Sequence, residues 1–374
     1  SVSKEWMGGV NYFKNLLYAI HSLENRQIEP IVFIGYKTDK WIKEMFSPYA
    51  QVIEHSIFDR KSLHWYLWKI SSTLFGSSYF LERVLQKHNI HILSHSGITG
   101  LKQCKTANWI PDLQHLHLPE MFTQDEITKR NHEYSDLAQN SDVIILSSYD
   151  ALKDFKSFAP AYSHKTKVLQ FVSQPDPQYY TLSAKDESRI RATYAIDMPF
   201  YYLPNQFWAH KNHKVVFEAV NALKKQGKEV YVVCTGHMND YRNAKHITQL
   251  QDYLLEHRLQ TNIRLLGLIP YEDVFALMKF SIAVINPSLF EGWSSTVEEC
   301  KSVGKPMILS DLEVHKEQYP TALFFERHDP RSLAGCLTSD IPVHENSEAD
   351  SIENTRIRTT DFALNYQNIT LKII

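Results

Sequence analysis

Two doubly wound α/β domains in series are what the sequence predicts, on three observations. At 374 residues the chain exceeds what one hydrophobic core usually supports. Short, nearly continuous apolar runs rich in β-branched and aromatic residues alternate with helical stretches, the pattern of a parallel sheet covered on both faces. The alternation breaks at "QPDPQYY" (174–180), where two prolines interrupt it, and then restarts. The expected domains are 1–175 and 176–350, followed by a helical segment, 351–374, that packs back toward the first domain.

In chain order, the first domain opens with a helical stretch, "VNYFKNLLYAIHSL" (10–23), then a strand, "PIVFIGY" (30–36). Further strands are "NIHILSHS" (89–96), "DVIILSS" (142–148) and "KVLQFVS" (167–173), with a helix over "DEITKRNHEYSDLAQ" (125–139). Only seven residues precede Gly8-Gly9, so a first strand is expected to be truncated or to lie outside this numbering. The second domain has strands at "PFYYLPN" (199–205), "EVYVVCTG" (229–236), "NIRLLGLI" (262–269), "SIAVINPS" (281–288) and "KPMILSD" (305–311). Its helix "KNHKVVFEAVNALKKQG" (211–227) ends in lysines before a glycine stop. Such sheets bind ligands beyond the carboxyl ends of their strands, so a ligand cleft is expected where the two domains face each other.

Composition narrows the function. With 43% apolar and 22% charged residues, and 7 Trp, 20 Tyr and 19 Phe, the chain reads as ordered and globular. A net charge of −2 gives no global field for nucleic acid, so any phosphate must be held locally. Cys104, Cys234, Cys300 and Cys336 show no C-x-x-C pairing and read as reduced core thiols of a cytosolic protein. No apolar run reaches a membrane-spanning length and no signal-peptide core is visible. The aromatic stretch "HWYLWKISSTLFGSSYFLERVL" (64–85) suits a lipid interface, and suits better a helix packed in a domain core or covering a cleft.

The chemistry concentrates in "FEGWSSTVEE" (290–299), at the carboxyl end of the strand "SIAVINPS". Ser295 and Glu298 have the S-x-x-E spacing of a capping box, which starts a helix running to about Val303 and stopping at Gly304. Free N–H groups at that start form an anion site, and Gly292 lets a phosphate approach the backbone closely. Glu298 is then a capping group, whereas Glu299 points about 100° around the helix with no structural duty.

Phe290-Glu291-Gly292 followed by Glu299 resembles the E-x7-E motif of retaining glycosyltransferase family 4, which has the GT-B fold of two facing Rossmann-like domains. Residues 267–285 and 286–311 are similar to consecutive segments of that family. "LPNQFWAHKNHKVVFEAV" (203–220) resembles its phosphate-binding loop, and "GGVNYFKNLL" (8–17) its amino-terminal glycine turn. The resemblance implies that Glu291 contacts hydroxyls of the donor sugar and Glu299 the ribose. It also implies that Lys211 neutralises the diphosphate, while Gly292, Trp293, Ser294 and Ser295 hold the distal phosphate opposite Gly8 and Gly9.

Two positions depart from the family. Gln206 stands where an arginine is common, which leaves His210 or Lys214 to compensate. Pro111 stands where a histidine precedes Asp112, which leaves His115 or His117 to serve beside the sugar. No D-x-D pair occurs, so a metal-independent reaction without a cofactor is expected. The implied function is transfer of a sugar, with retention, from a GDP- or UDP-sugar to a glycan or lipid-linked glycan. The setting is bacterial surface-polysaccharide synthesis, in the cytoplasm or at the inner face of the membrane with peripheral contact. A GT-B epimerase or phosphorylase, and a non-catalytic nucleotide-sugar-binding subunit, are the alternatives.

Overall fold

The computed structural model describes residues 7–75, 78–240, 242–341 and 348–374. The chain divides into two compact units. The first runs to Leu113, resumes over Gln124–Val172 and ends with Arg356–Ile374; the second comprises Gln114–Thr123 and Ser173–Thr355.

The first unit holds a parallel pair, β1 (Ile31–Ile34) and β2 (Gln51–Glu54). It also holds a parallel sheet in the order β3 (Ile92–Ser94), β4 (Lys105–Ile110), β5 (Val143–Leu146), β6 (Thr166–Val168). β5, "VIIL", is buried along its whole length, as a strand covered on both faces must be. Gly8 and Gly9 do not form a turn; they lie within the helix Met7–His21, Gly8 exposed and Gly9 buried. The aromatic stretch 64–85 is not one helix but belongs to two, Leu63–Phe75 and Tyr79–Lys87, which pack on each other.

The second unit is built on one six-stranded parallel sheet. Its strands are β7 (Tyr201–Leu203), β8 (Val232–Thr235), β9 (Ile263–Gly267), β10 (Val284–Asn286), β11 (Met307–Ser310) and β12 (Leu323–Phe325). The order in space is β12-β11-β10-β7-β8-β9, the doubly wound order in which the chain reverses direction between β7 and β10. Side chains alternate between two cores, because successive residues of a strand point to opposite faces. Leu203, Cys234, Ile285 and Ile308 join one core with helix His213–Lys225. Tyr202, Val233, Val284 and Leu309 join the other with helices Tyr271–Phe280 and Ser295–Ser302.

The last long helix, Glu348–Leu371, divides between the units, its residues from Arg356 onward belonging to the first. There Phe362 and Tyr366 lie 6.4 Å from the Tyr12 ring and 6.0 Å from the His95 ring. Among the described residues no helix is long and apolar enough to cross a membrane.

Candidate active site at the strand-order reversal

β7 and β10 are neighbours, so the loops at their carboxyl ends emerge side by side where ligands of doubly wound sheets bind. The first loop carries Gln206 and Lys211, and the second carries Glu291 to Ser294 and leads into the helix that holds Glu299. The carbonyl of His210 accepts from the Leu289 amide at 2.7 Å and ties the two together.

After β7 the chain makes a 3-10 turn, Ala209–Lys211, and reverses at Asn212 in the left-handed region at φ 54° before the helix His213–Lys225 begins. Lys211 therefore stands two residues ahead of the helix rather than at its first residue. Gln206 Oε1 accepts from the His237 amide at 2.8 Å, and the β8 end passes so close that a Cβ on Gly236 would collide with the Asn205 carbonyl. Gly236 also has φ 141°. Gly236→Ala should cost at least about 2 kcal/mol in a denaturant melt, because both the contact and the backbone conformation forbid a side chain.

In the second loop, Glu291 Oε1 receives Lys211 Nζ at 2.6 Å and Ser288 Oγ at 2.6 Å. Oε2 has no partner among the described residues, and Lys211 Nζ makes no other hydrogen bond there. An ammonium has three donors, so two remain for an anion, while the carboxylate keeps one oxygen for hydroxyls. Burial alone would raise the Glu291 carboxyl. The Lys211 ammonium, the His315 imidazole and the hydrogen bonds on Oε1 outweigh burial and hold it at about 2. Ser310 Oγ donates to the Ser288 carbonyl at 2.6 Å, so its lone pair and the Ser310 carbonyl face His315 Nδ1, at 3.2 and 3.0 Å. That places the imidazole proton on Nδ1 and leaves Nε2 an acceptor. Burial lowers the His315 pKa to about 4 against the pull of Glu291, so the ring is neutral at pH 7.

The helix after this loop runs over Ser295–Ser302, but Ser295 does not cap it. Ser294 is the N-cap, its Oγ accepting from the Val297 amide at 3.4 Å. Buried Gln318 fixes that choice by bonding both the Ser294 amide, at 3.1 Å, and its carbonyl, at 2.8 Å. Glu298 is thereby one turn inside the helix, where it accepts from Gln318 Nε2 at 3.2 Å, and the expected capping box is not formed. The Ser294 amide is occupied and cannot meet a phosphate. The amides of Ser295 and Thr296, at the helix start, have no acceptor among the described residues. Glu299 is half-buried without a hydrogen bond or ion pair among the described residues, and burial raises its pKa to about 7.

Neither substitute cation for Gln206 is suitable. Lys214 pairs with Glu218 at 3.6 Å in solvent, and His210 is held neutral by burial and by its neighbour Lys211. The cation found beside this loop is Arg242, which the sequence gives no reason to single out. Its Nη2 lies 3.2 Å from His210 Nδ1 and its Nη1 3.4 Å from Gln114 Oε1. Its guanidinium lies over the rings of Phe122 and Trp208, at 5.3 and 5.7 Å. His115, in the short helix Gln114–His117, is buried, whereas exposed His117 lies 5.1 Å from the ring of Phe290, next to Glu291. Asp112 belongs to the first unit, with Arg130 at 3.9 Å, as do Gly8 and Gly9. Trp293 is half-buried in the loop before the helix. Among the described residues no three His, Cys, Asp or Glu side chains are grouped to hold a metal ion.

Solved structures share this fold along the whole chain. HepE of Anabaena, in complex with UDP and glucose, has a TM-score of 0.68 at 14% identity, covering 100% of this chain and 98% of its own. A glycosyltransferase from Rickettsia africae ESF-5 has a TM-score of 0.64 at 15% identity, covering 97% and 93%. The lipopolysaccharide outer core galactosyltransferase WaaB has a TM-score of 0.61 at 16% identity, covering 100% and 98%. The fold is that of the GT-B glycosyltransferases, two α/β domains with parallel sheets. No curated protein is detectably similar to the chain in sequence. Residues 187–339, which carry Lys211, Glu291 and Glu299, match the family model described as glycosyl transferases group 1.

Proposed function

We propose that the protein transfers a sugar from a nucleoside diphosphate to an acceptor hydroxyl with retention at the anomeric carbon, as a member of glycosyltransferase family 4. The observation that carries this reading is the pairing of Lys211 with Glu291 at the reversal of strand order, one oxygen of the carboxylate anchored and the other open. Glu291 Oε2 accepts from sugar hydroxyls, and the two spare donors of Lys211 meet the diphosphate. The Ser295 and Thr296 amides meet the distal phosphate, and Glu299 accepts from the ribose. As the glycosidic bond breaks, negative charge grows on the diphosphate, and Lys211 and the helix start stabilise it. The leaving phosphate takes the proton of the incoming hydroxyl on the same face of the sugar. Arg242 supplies the charge that Gln206 lacks through its stack on Trp208 and its bond to His210. His117, beside Phe290, is the histidine we place nearest the sugar, ahead of buried His115 and of Asp112.

A uridine nucleotide is the first donor to try, because HepE has been solved with UDP and with UDP-glucose; a guanosine nucleotide is the second. The acceptor we propose is a glycan or lipid-linked glycan of a surface polysaccharide, met in the cytoplasm at the membrane face. A thermal-shift panel of nucleoside diphosphates tests donor binding, since a ligand that binds only the folded state raises its melting temperature. No shift with any nucleotide contradicts the proposal. Product analysis follows: a transferred sugar with inverted configuration, or an epimerised donor, sinks the retaining-transfer reading.

Positive charge from Lys211 and the helix start leaves no role for a bound cation, so transfer in excess EDTA should keep most of its rate. Loss of activity with rescue by magnesium or manganese would place a metal on the diphosphate instead.

A further inference from the structure

Residues Gln114–Thr123 belong to the second unit although first-unit residues, Leu113 and Gln124, flank them in sequence. The segment folds as the short helix Gln114–His117 and a 3-10 turn, Pro119–Met121, with the His115 ring 6.4 Å from that of Phe122. Among the described residues, none of its side chains joins either core of the six-stranded sheet. A segment outside the cores keeps its place through specific contacts.

Those contacts meet on Arg242. Its Nη1 donates to Oε1 of Gln114, the first residue of the segment, at 3.4 Å, and its guanidinium lies 5.3 Å from the ring of Phe122, near the other end. One side chain thereby grips the segment at both ends. The same guanidinium lies over Trp208 at 5.7 Å and donates through Nη2 to His210 Nδ1 at 3.2 Å, while buried Asp240 faces its Nε at 3.8 Å. The His210 carbonyl accepts from the Leu289 amide, and the next residue, Phe290, has the His117 ring 5.1 Å away. The contacts close a circuit from the segment through Arg242 and His210 to the loop of Glu291, and back to the segment at His117. A guanidinium suits this place because its flat face meets two rings while its edge still donates to Gln114 and His210; an ammonium, a point charge, does not do both.

We propose that Arg242 is a positioning residue that seats the segment Gln114–Thr123 on the second unit and so holds His117 beside Phe290 and Glu291. This duty is distinct from the charge that Arg242 offers the diphosphate. Its consequence for turnover rests on the sugar-transfer reading; the seat itself does not.

Hydrogen exchange of the full chain, read by mass spectrometry over residues 114–123, tests the seat without turnover. Arg242→Lys keeps the charge and loses the stacking, so exchange there should quicken at least about tenfold. Phe122→Ala, which alters no charge, should do the same, and Phe122→Tyr should hold the wild-type rate. Peptides from β8 and β10 should exchange as in wild type, which separates release of the segment from loss of the fold. In transfer assays Arg242→Lys and Phe122→Ala should each lower kcat at least about tenfold and leave KM for the nucleotide sugar within about threefold. Exchange at the wild-type rate in Arg242→Lys overturns the proposal, as does quickened exchange with kcat unchanged. A raised KM with unchanged kcat also overturns it and confines Arg242 to the diphosphate. A wild-type protein that transfers no sugar sinks the sugar-transfer reading instead, and the exchange rates then decide the seat alone.

Discussion

Lys211→Ala should destabilise the protein by about 3–5 kcal/mol and slow transfer about 100- to 1,000-fold in kcat. The two losses have different origins. Stability falls because Glu291 is buried with Lys211 as its counter-ion, and a carboxylate left alone there is an uncompensated charge. Turnover falls because the charge on the leaving diphosphate grows in the transition state. The pH dependence separates the two. In the wild type the Glu291 pKa lies at about 2, below its unfolded value, so its contribution is present at neutral pH and is lost as pH falls toward 2. Without Lys211, burial dominates and the folded pKa moves above the unfolded one, so stability should decline as pH rises above about 4.3. Lys211→Ala/Glu291→Gln should recover most of the stability and none of the turnover. Denaturant melts across pH, set beside single-turnover rates, measure both; recovery of turnover in the double variant would confine Lys211 to a structural role.

Nucleotide-sugar affinity should rise with pH up to about 7 and then level off. Burial raises the Glu299 carboxyl to about 7, so below that pH it is protonated and offers ribose hydroxyls a weaker acceptor. Affinity should fall by up to about tenfold per pH unit below 7, until binding by the protonated form sets a floor. The sugar ester is the appropriate ligand, because a terminal phosphate has its own proton to lose near pH 6 and would imitate the effect. Glu299→Gln should flatten the profile, and Glu299→Ala should weaken binding about 10- to 150-fold at pH 8. The folded protein alone shows the opposite trend. A carboxyl whose folded pKa exceeds its unfolded one makes stability fall as pH rises from about 4.3 to 7, which Glu299→Gln should remove. A wild-type profile that is already flat places the ribose elsewhere.

The fold was legible where strands are continuous apolar runs. "VIIL" and "MILS" announce themselves because both of their faces are buried. β4, "KTANWI", does not, because Asn108 lies fully buried in the strand and bonds Ser141 Oγ and the Gly97 amide. β12, with three residues, is too short to show a period. The doubly wound pattern also locates Lys211 and Glu291 on loops at strand ends, but the contact between residues so far apart in sequence leaves no trace in spacing. The capping residue was illegible for a related reason. Ser294, Ser295 and Thr296 are all competent N-caps, and distant Gln318 selects the first of them. Arg242 lies among polar loop residues, and only the fold brings it over Trp208 and His210.

Titration calorimetry of UDP and UDP-glucose against wild type, Glu291→Ala and Glu299→Ala tests the central assignment most directly, namely that Glu291 reads the sugar and Glu299 the nucleoside. If those roles hold, Glu299→Ala weakens both ligands by the same factor. Glu291→Ala leaves UDP within about threefold of wild type and removes only the additional affinity that the glucose confers. A Glu299→Ala protein that binds UDP as wild type does, beside a Glu291→Ala protein that has lost it, would contradict the account.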